Sequence, residues 1–92
     1  MQLLKCISKG NVQGVYYRKY ISNAMNQEKI IGYIKNLPDG SVESIIKLDE
    51  KANINKILNI LYKGSPKSDV KSVEMFPINE NINLSNMFEV RY

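Results

Sequence analysis

The stretch GNVQGVYYR, residues 10–18, determines how the rest of the chain is interpreted. Gly10 and Gly14 bracket a short loop, residues 10–15. An apolar helical period follows directly and predicts one buried helix face: Tyr17, Tyr20, Ile21, Ala24 and Met25. The glycines therefore lie where a strand gives way to a helix N-terminus. Backbone N–H groups there have no partner within the helix and, with the helix dipole, favour a bound anion.

Arg18 lies in the first turn of this predicted helix, where a cation is disfavoured by roughly 0.3–1 kcal/mol. An anion held between the loop and the guanidinium would reverse that effect. The guanidinium also offers a planar fork of donors that matches phosphate oxygens. The alternative is a solvated surface arginine, which is the usual situation for this residue type. We interpret the neighbouring Lys19 as a surface residue.

The composition favours one small globular domain over residues 1–92 and excludes several chemistries. The net charge of +4 suits anionic ligands, although solubility alone explains it equally well. There is no histidine, and Cys6 is the single cysteine, so neither a disulfide nor a cysteine zinc site is expected. No pair of carboxylates has a spacing that demands acid–base chemistry. We therefore expect no metal and no cofactor.

The chain has no apolar run long enough for a signal peptide at its N-terminus and no transmembrane segment. This predicts a cytoplasmic protein.

Seven secondary-structure elements are predicted from hydrophobic periodicity and from the turn-forming residues between the periodic segments. Five runs are typical of strands: residues 2–8, 30–37, 41–48, 70–76 (ended by Pro77) and 87–92. The first helix covers 17–27, and the second places Ile54, Ile57, Leu58, Leu61 and Tyr62 on one face. Asp49 or Asn53 could cap the second helix, and residues 64–66 (Gly-Ser-Pro) end it. Residues 78–86 are predicted as a loop.

The resulting order is β-α-β-β-α-β with an added strand. This order predicts a ferredoxin-like α+β sandwich, an antiparallel sheet with two helices on one face and a short extra C-terminal strand. In the second strand, alternation places Asn36 on the same face as Ile34, toward the helices. A polar amide in that position needs partners. Alternatively, Asn36 caps the turn at residues 37–40, and the sequence leaves both interpretations open.

Two segments carry a resemblance to a known family. GNVQGVYYR (10–18) and GYIKNLPDGSVE (32–43) resemble the two motifs of the acylphosphatase family, and the likeness covers essentially the whole chain. It implies hydrolysis of small-molecule acyl phosphates to a carboxylate and inorganic phosphate, by a monomer that needs no metal or cofactor and binds neither nucleic acid nor membrane. It also implies that Arg18 holds the phosphoryl group and that Asn36 orients the attacking water. The phosphoryl group would also be held by loop amides, those of Asn11, Val12, Gln13, Gly14 and Val15.

The sequence departs from the family pattern at three places, of which one, Tyr16 and Tyr17 in place of smaller or phenylalanine-type residues, is expected to alter only packing. Asn11 stands where many relatives carry arginine, and the first helix lacks the glycine that usually ends it, so Asn26 or Lys29 must make that turn. Three alternatives to a free-standing enzyme remain: an RNA-binding module on the same fold, a phosphate-binding module without turnover, or a piece of a larger maturation enzyme. The first would use the six tyrosines for base stacking, but the RNA-recognition signature is absent from every predicted strand.

Overall fold

The computed structural model describes residues 2–92, so Met1, the first residue of the stretch searched for a signal peptide, lies outside it. The predicted order of elements is confirmed. Their bounds are β1 (Gln2–Asn11), α1 (Tyr17–Gln27), β2 (Gly32–Asn36), β3 (Val42–Lys47), α2 (Ile54–Lys63), β4 (Asp69–Asn79) and β5 (Phe88–Val90).

The strands form one sheet in the order β4-β1-β3-β2-β5. The first four are antiparallel to their neighbours, as a split β-α-β arrangement requires. The short fifth strand runs parallel to β2, with Gly32 opposite Phe88, which makes the sheet mixed. The ferredoxin-like α+β sandwich is thus confirmed, and its extra C-terminal strand extends the β2 edge.

The main core lies between the helices and one sheet face. Helix α1 buries Tyr17, Ile21 and Met25, each at most 1% exposed, and α2 buries Ile57 and Leu61. Spacings of four residues place these side chains on a single stripe of each helix. Three residues predicted on the same faces are about half exposed instead: Tyr20, Ile54 and Tyr62. Tyr20 and Tyr62 are each one position away from a buried residue of the stripe, and Ile54 is the first residue of α2.

Helix α1 ends without glycine because Lys29 adopts the left-handed conformation, with φ 57°. The Lys29 N–H donates to the Asn26 carbonyl at 3.0 Å, and the Ile30 N–H donates to the Met25 carbonyl at 2.9 Å. These two bonds form a Schellman motif, in which glycine is the usual residue at the left-handed position. Of the two residues that the sequence offered for this turn, Lys29 makes it.

Strands β2, β3 and β5 are shorter than predicted, and two strands extend past their predicted ends. Strand β1 continues through Gly10 and Asn11, which pair with β4 after a register shift between Lys9 and Gly10. Strand β4 continues through Pro77, which lies opposite Leu4, so the prediction that this proline ends the strand is wrong. Because β4 is an edge strand, a proline nitrogen facing away from β1 removes no ladder hydrogen bond.

The second sheet face carries a smaller cluster of its own. Leu3, Tyr33 and Ile45 are buried there, covered by three partly buried apolar side chains from β4 and the segment after it: Ile78, Ile82 and Leu84. Residues 80–87 are irregular, where the predicted loop covered 78–86, and Ile82 and Leu84 of this segment pack on the sheet.

Candidate active site

The loop between β1 and α1 covers residues 12–16. The predicted loop covered residues 10–15, so the observed loop begins two residues later and ends one residue later. Val12, 1% exposed, fixes its start in the core. Gly14 and Tyr16 both have positive φ, 74° and 62°, so the chain turns sharply twice before the helix begins. Within residues 2–92, the backbone N–H groups of residues 13–16 donate to no other group. They are therefore free to converge on a ligand.

Tyr17 fixes the end of the loop. Its hydroxyl donates to the Leu61 carbonyl at 2.7 Å and forms a second hydrogen bond with Ser8 Oγ at 3.0 Å. Burial raises the pKa of this phenol to about 12, so the side chain is a neutral anchor rather than a proton donor. The Val15 carbonyl accepts a hydrogen bond from Ser65 Oγ at 2.6 Å, which ties the loop to the segment after α2.

A pocket of about 390 Å³ opens beside this loop and brings together the two side chains singled out by the sequence, Arg18 and Asn36. Val12 and Gly14 also line it. Asn11, Gln13 and Val15, which were predicted with them, are not among the lining residues. Asn11 lies at the end of β1 opposite Asp69.

Arg18 projects from the first turn of α1 and is half-buried. Its Nη1 donates to the Arg91 carbonyl at 3.4 Å, and its guanidinium carbon lies 4.8 Å from the centre of the Tyr92 ring. A cation over an aromatic face is stabilised by the ring quadrupole. The segment after β5 therefore contacts the guanidinium on one side. The other N–H groups of the guanidinium are not used by this segment.

Asn36 is the last residue of β2, and its Oδ1 is buried without a hydrogen-bond partner among residues 2–92. The alternative that Asn36 caps the following turn is not supported, because Asp39 performs that role: its Oδ1 accepts from the Ser41 N–H at 3.0 Å. A buried oxygen without a partner is rare, since it forfeits the hydrogen bonds it would make in water. It marks a place where an acceptor is held ready for a donor.

Five lining residues were not assigned to the site from the sequence: Tyr16, Tyr17, Lys19, Val90 and Tyr92. Lys19 was interpreted as a surface residue, and although exposed it contributes to the pocket wall. Residues 87–92 were predicted as a strand, but no local signal could show that this strand would lie beside α1. With Arg18 and Lys19, the lining holds two cationic side chains and, among the residues described, no aspartate or glutamate.

Two further surveys cover residues 2–92. No group of three or more histidine, cysteine, aspartate or glutamate side chains is placed to hold a metal ion. No helix in this part of the chain has the length and apolar character needed to cross a membrane.

A pocket lined by two cationic side chains, at a strand–helix junction of a ferredoxin-like sandwich, is typical of proteins that bind small anions. Comparison with known proteins identifies the family. The acylphosphatase family model matches residues 4–90. An acylphosphatase from Dehalococcoides mccartyi is 36% identical over 74 residues, which cover 80% of this chain and 81% of that protein. One from Oceanobacillus iheyensis is 36% identical across the whole of both chains.

A solved structure agrees with these sequence matches. The crystal structure of acylphosphatase from Bacillus subtilis superposes with a TM-score of 0.86 at 27% identity, covering all of both chains. The chain therefore belongs to the acylphosphatase family and is a hydrolase.

Proposed function

We propose that this protein hydrolyses the carboxyl–phosphate bond of small acyl phosphates, releasing a carboxylate and inorganic phosphate. The observation that carries the proposal is that Arg18 of α1 and Asn36 of β2, far apart in sequence, line one pocket beside the β1–α1 loop. The active unit is a single domain over residues 1–92, acting as a monomer in the cytoplasm without metal or cofactor.

The phosphoryl group binds between the loop and Arg18. The amides that we assign to it are those of Val12, Gln13, Gly14 and Val15, at the positive end of the α1 dipole. Asn11, which pairs with Asp69 in the sheet, is placed beside the site rather than in it. Arg18 supplies charge-assisted donors that remain protonated at any working pH. A phosphate in this position also removes the unfavourable interaction between Arg18 and the helix dipole.

Asn36 orients the attacking water. Its buried Oδ1 needs a donor, and a water molecule aligned for attack on phosphorus provides one. As the new bond from the water oxygen to phosphorus forms, the bond from phosphorus to the acyl oxygen breaks and the carboxylate leaves with the electron pair. The proton of the water passes to a phosphate oxygen.

This chemistry accounts for the residue types present. A carboxylate is a good leaving group, so no general acid is required, and the substrate phosphate serves as the base. Catalysis then consists mainly of positioning and electrostatic stabilisation, which amides, a guanidinium and one side-chain carbonyl can provide.

The RNA-binding alternative receives no support from the sheet. Base stacking requires exposed aromatic rings on the face away from the helices. Tyr33 on that face is 8% exposed, and the Arg91 guanidinium carbon lies 4.1 Å from the centre of its ring. The ring of Tyr33 is therefore covered by the chain itself. Phe76, opposite Lys5 at the β4 edge of this face, is 46% exposed, but one such ring falls short of the two or three stacking rings that RNA-recognition sheets use.

Hydrolysis of benzoyl phosphate in the presence of a metal chelator tests the proposal. We expect turnover well above the uncatalysed rate, and its absence would overturn the proposed function. Asn36→Ala should lower kcat by roughly 10²–10³ if it orients water, since that is the usual cost of losing one such group. Asn59→Ala, the same change at an exposed position of α2, should have no effect.

Arg18 is tested through phosphate inhibition. Arg18→Ala should raise both KM and the inhibition constant of inorganic phosphate. Arg18→Lys should do so as well, because the ammonium keeps the charge but loses the planar fork. Lys63→Ala, which removes an exposed positive charge from α2, is the control. Unchanged phosphate inhibition in both Arg18 variants would contradict the assigned role.

A further inference from the structure

We propose that Gln13 is a positioning residue that fixes the distance between the phosphate-binding loop and Asn36. The inference rests on the proposed function and adds a residue to it. The Gln13 side chain does not line the pocket but turns away toward the β2–β3 turn. There its Nε2 donates to the Leu37 carbonyl and to the Ser41 carbonyl, each at 2.9 Å.

The two acceptors face each other across the hairpin, one residue beyond Asn36 toward the turn. Leu37 follows Asn36 directly in the chain, and Ser41 directly precedes Val42, which is the cross-strand partner of Asn36. One amide group from the loop thus holds both strands of the hairpin at the level of the residue that we assign to the water. Any displacement of the loop relative to these carbonyls is a displacement relative to Asn36.

The hairpin does not need Gln13 for its own hydrogen bonding. The Ser41 carbonyl also accepts from the Leu37 N–H at 2.9 Å, and the Leu37 carbonyl also accepts from the Gly40 N–H at 3.2 Å. Removing the Gln13 amide therefore leaves neither carbonyl without a partner. The two hydrogen bonds therefore position the loop, and the turn does not need them to satisfy its carbonyl groups.

The other contacts of the loop reach different parts of the fold. Val12 enters the main core, and the Val15 carbonyl binds Ser65 beyond α2. Among residues 2–92, Gln13 is the only residue of the 12–16 loop whose side chain hydrogen-bonds to the β2–β3 hairpin. Without it, Gly14 and its neighbours keep their attachment to the core but lose their fixed distance to Asn36.

This arrangement predicts a specific kinetic signature. Phosphate contacts the loop and Arg18, so its affinity should survive loss of the Gln13 amide. The alignment between the bound phosphorus and the water on Asn36 should be lost when the Gln13 amide is removed. A misplacement of the order of 1 Å can lower kcat by about 100-fold, so we expect a decrease of about 10- to 100-fold.

The test compares wild type with Gln13→Met, which keeps the length of the side chain and removes its donors, and with Gln13→Ala. We expect kcat for benzoyl phosphate to fall as stated, while the inhibition constant of inorganic phosphate stays within about twofold of wild type. Asn53→Ala is the stability control, because it removes the α2 N-cap, whose side chain accepts from the Lys56 N–H far from the pocket. It should destabilise the fold and leave kcat unchanged.

A double-mutant cycle with Asn36→Ala separates positioning from a general structural role. Once Asn36 no longer holds water, its distance from the loop is irrelevant, so adding Gln13→Met should lower kcat by less than about twofold. Equal effects of Gln13→Met with and without Asn36 would overturn the inference. Loss of folding in the Gln13 variants would also overturn it, because the side chain would then be required by the hairpin. Inactive wild-type protein would instead refute the proposed function itself.

Discussion

Asn26→Ala is expected to detach β5 from α1. The Asn26 side chain forms two hydrogen bonds with the backbone of Phe88: Nδ2 donates to the Phe88 carbonyl at 2.9 Å, and Oδ1 accepts from the Phe88 N–H at 2.7 Å. One side chain thus extends the hydrogen bonding of a three-residue strand into the neighbouring helix.

The magnitude follows from the burial of the partner. Phe88 is 1% exposed, so water cannot readily replace the lost amide. Two net hydrogen bonds contribute about 1–3 kcal/mol, and leaving buried backbone groups without partners adds to this. We expect the free energy of unfolding to fall by about 2–4 kcal/mol. For a domain of this size each kcal/mol corresponds to a Tm decrease of about 4–8 °C.

Urea denaturation followed by circular dichroism measures the effect. Asn23→Ala, the same substitution at an exposed position of α1, is the control and should be neutral or slightly stabilising because alanine is the better helix former. Asn26→Asp keeps the acceptor and loses the donor, so it should fall between wild type and Asn26→Ala. If Asn26→Ala lies within about 0.5 kcal/mol of Asn23→Ala, the reasoning from these hydrogen bonds is refuted.

Three other changes test the backbone and the core. Lys29→Gly should raise the free energy of unfolding by about 0.5–1 kcal/mol because it relieves the left-handed conformation, whereas Lys29→Ala should not; equal urea midpoints for the two would contradict this. Gly10→Ala should destabilise by about 3 kcal/mol, since φ is 127° and a Cβ would collide with the β4 backbone; Gly40→Ala, with open space around it, should cost less in the same assay. Burial raises the pKa of Cys6 from 9.0 and that of Tyr17 from 10.0, each to about 12, so both groups lose protons more readily when unfolded. Stability should therefore fall between pH 9 and 12, and Tyr17→Phe should show a shallower fall of the urea midpoint; an unchanged slope would contradict the role of Tyr17.

The parts of the fold that the sequence predicts are those specified by local chemistry. The bounds of α1 follow from its periodicity, and the Asn53 cap and Gly64 stop of α2 follow from short-range rules. The boundaries that fail depend on neighbours in space. Nothing near Pro77 in the sequence shows that it lies on an edge strand, where a missing N–H is harmless.

The residues of the candidate site also fall into those that local sequence could predict and those whose position depends on neighbours in space. Arg18 and Asn36 could be singled out because each is an unusual residue for its predicted element. Val90 and Tyr92 could not, because their place in the pocket depends on the parallel pairing of β5 with β2. The role that we infer for Gln13 also has no sequence signal, since it arises from two carbonyls more than 20 residues away.

The pairing of β1 with β4 has a consequence for how the protein folds. Residues 2–11 pair with residues 69–79 across nearly the whole chain, so the β4 side of β1 cannot be completed until a very long loop has closed. Such a high contact order is typical of domains that fold in milliseconds to seconds rather than microseconds. The pocket itself depends on the docking of β5, because Val90 and Tyr92 line it. Recovery of phosphate binding during refolding should therefore follow the latest kinetic phase and report when the last strand reaches its place.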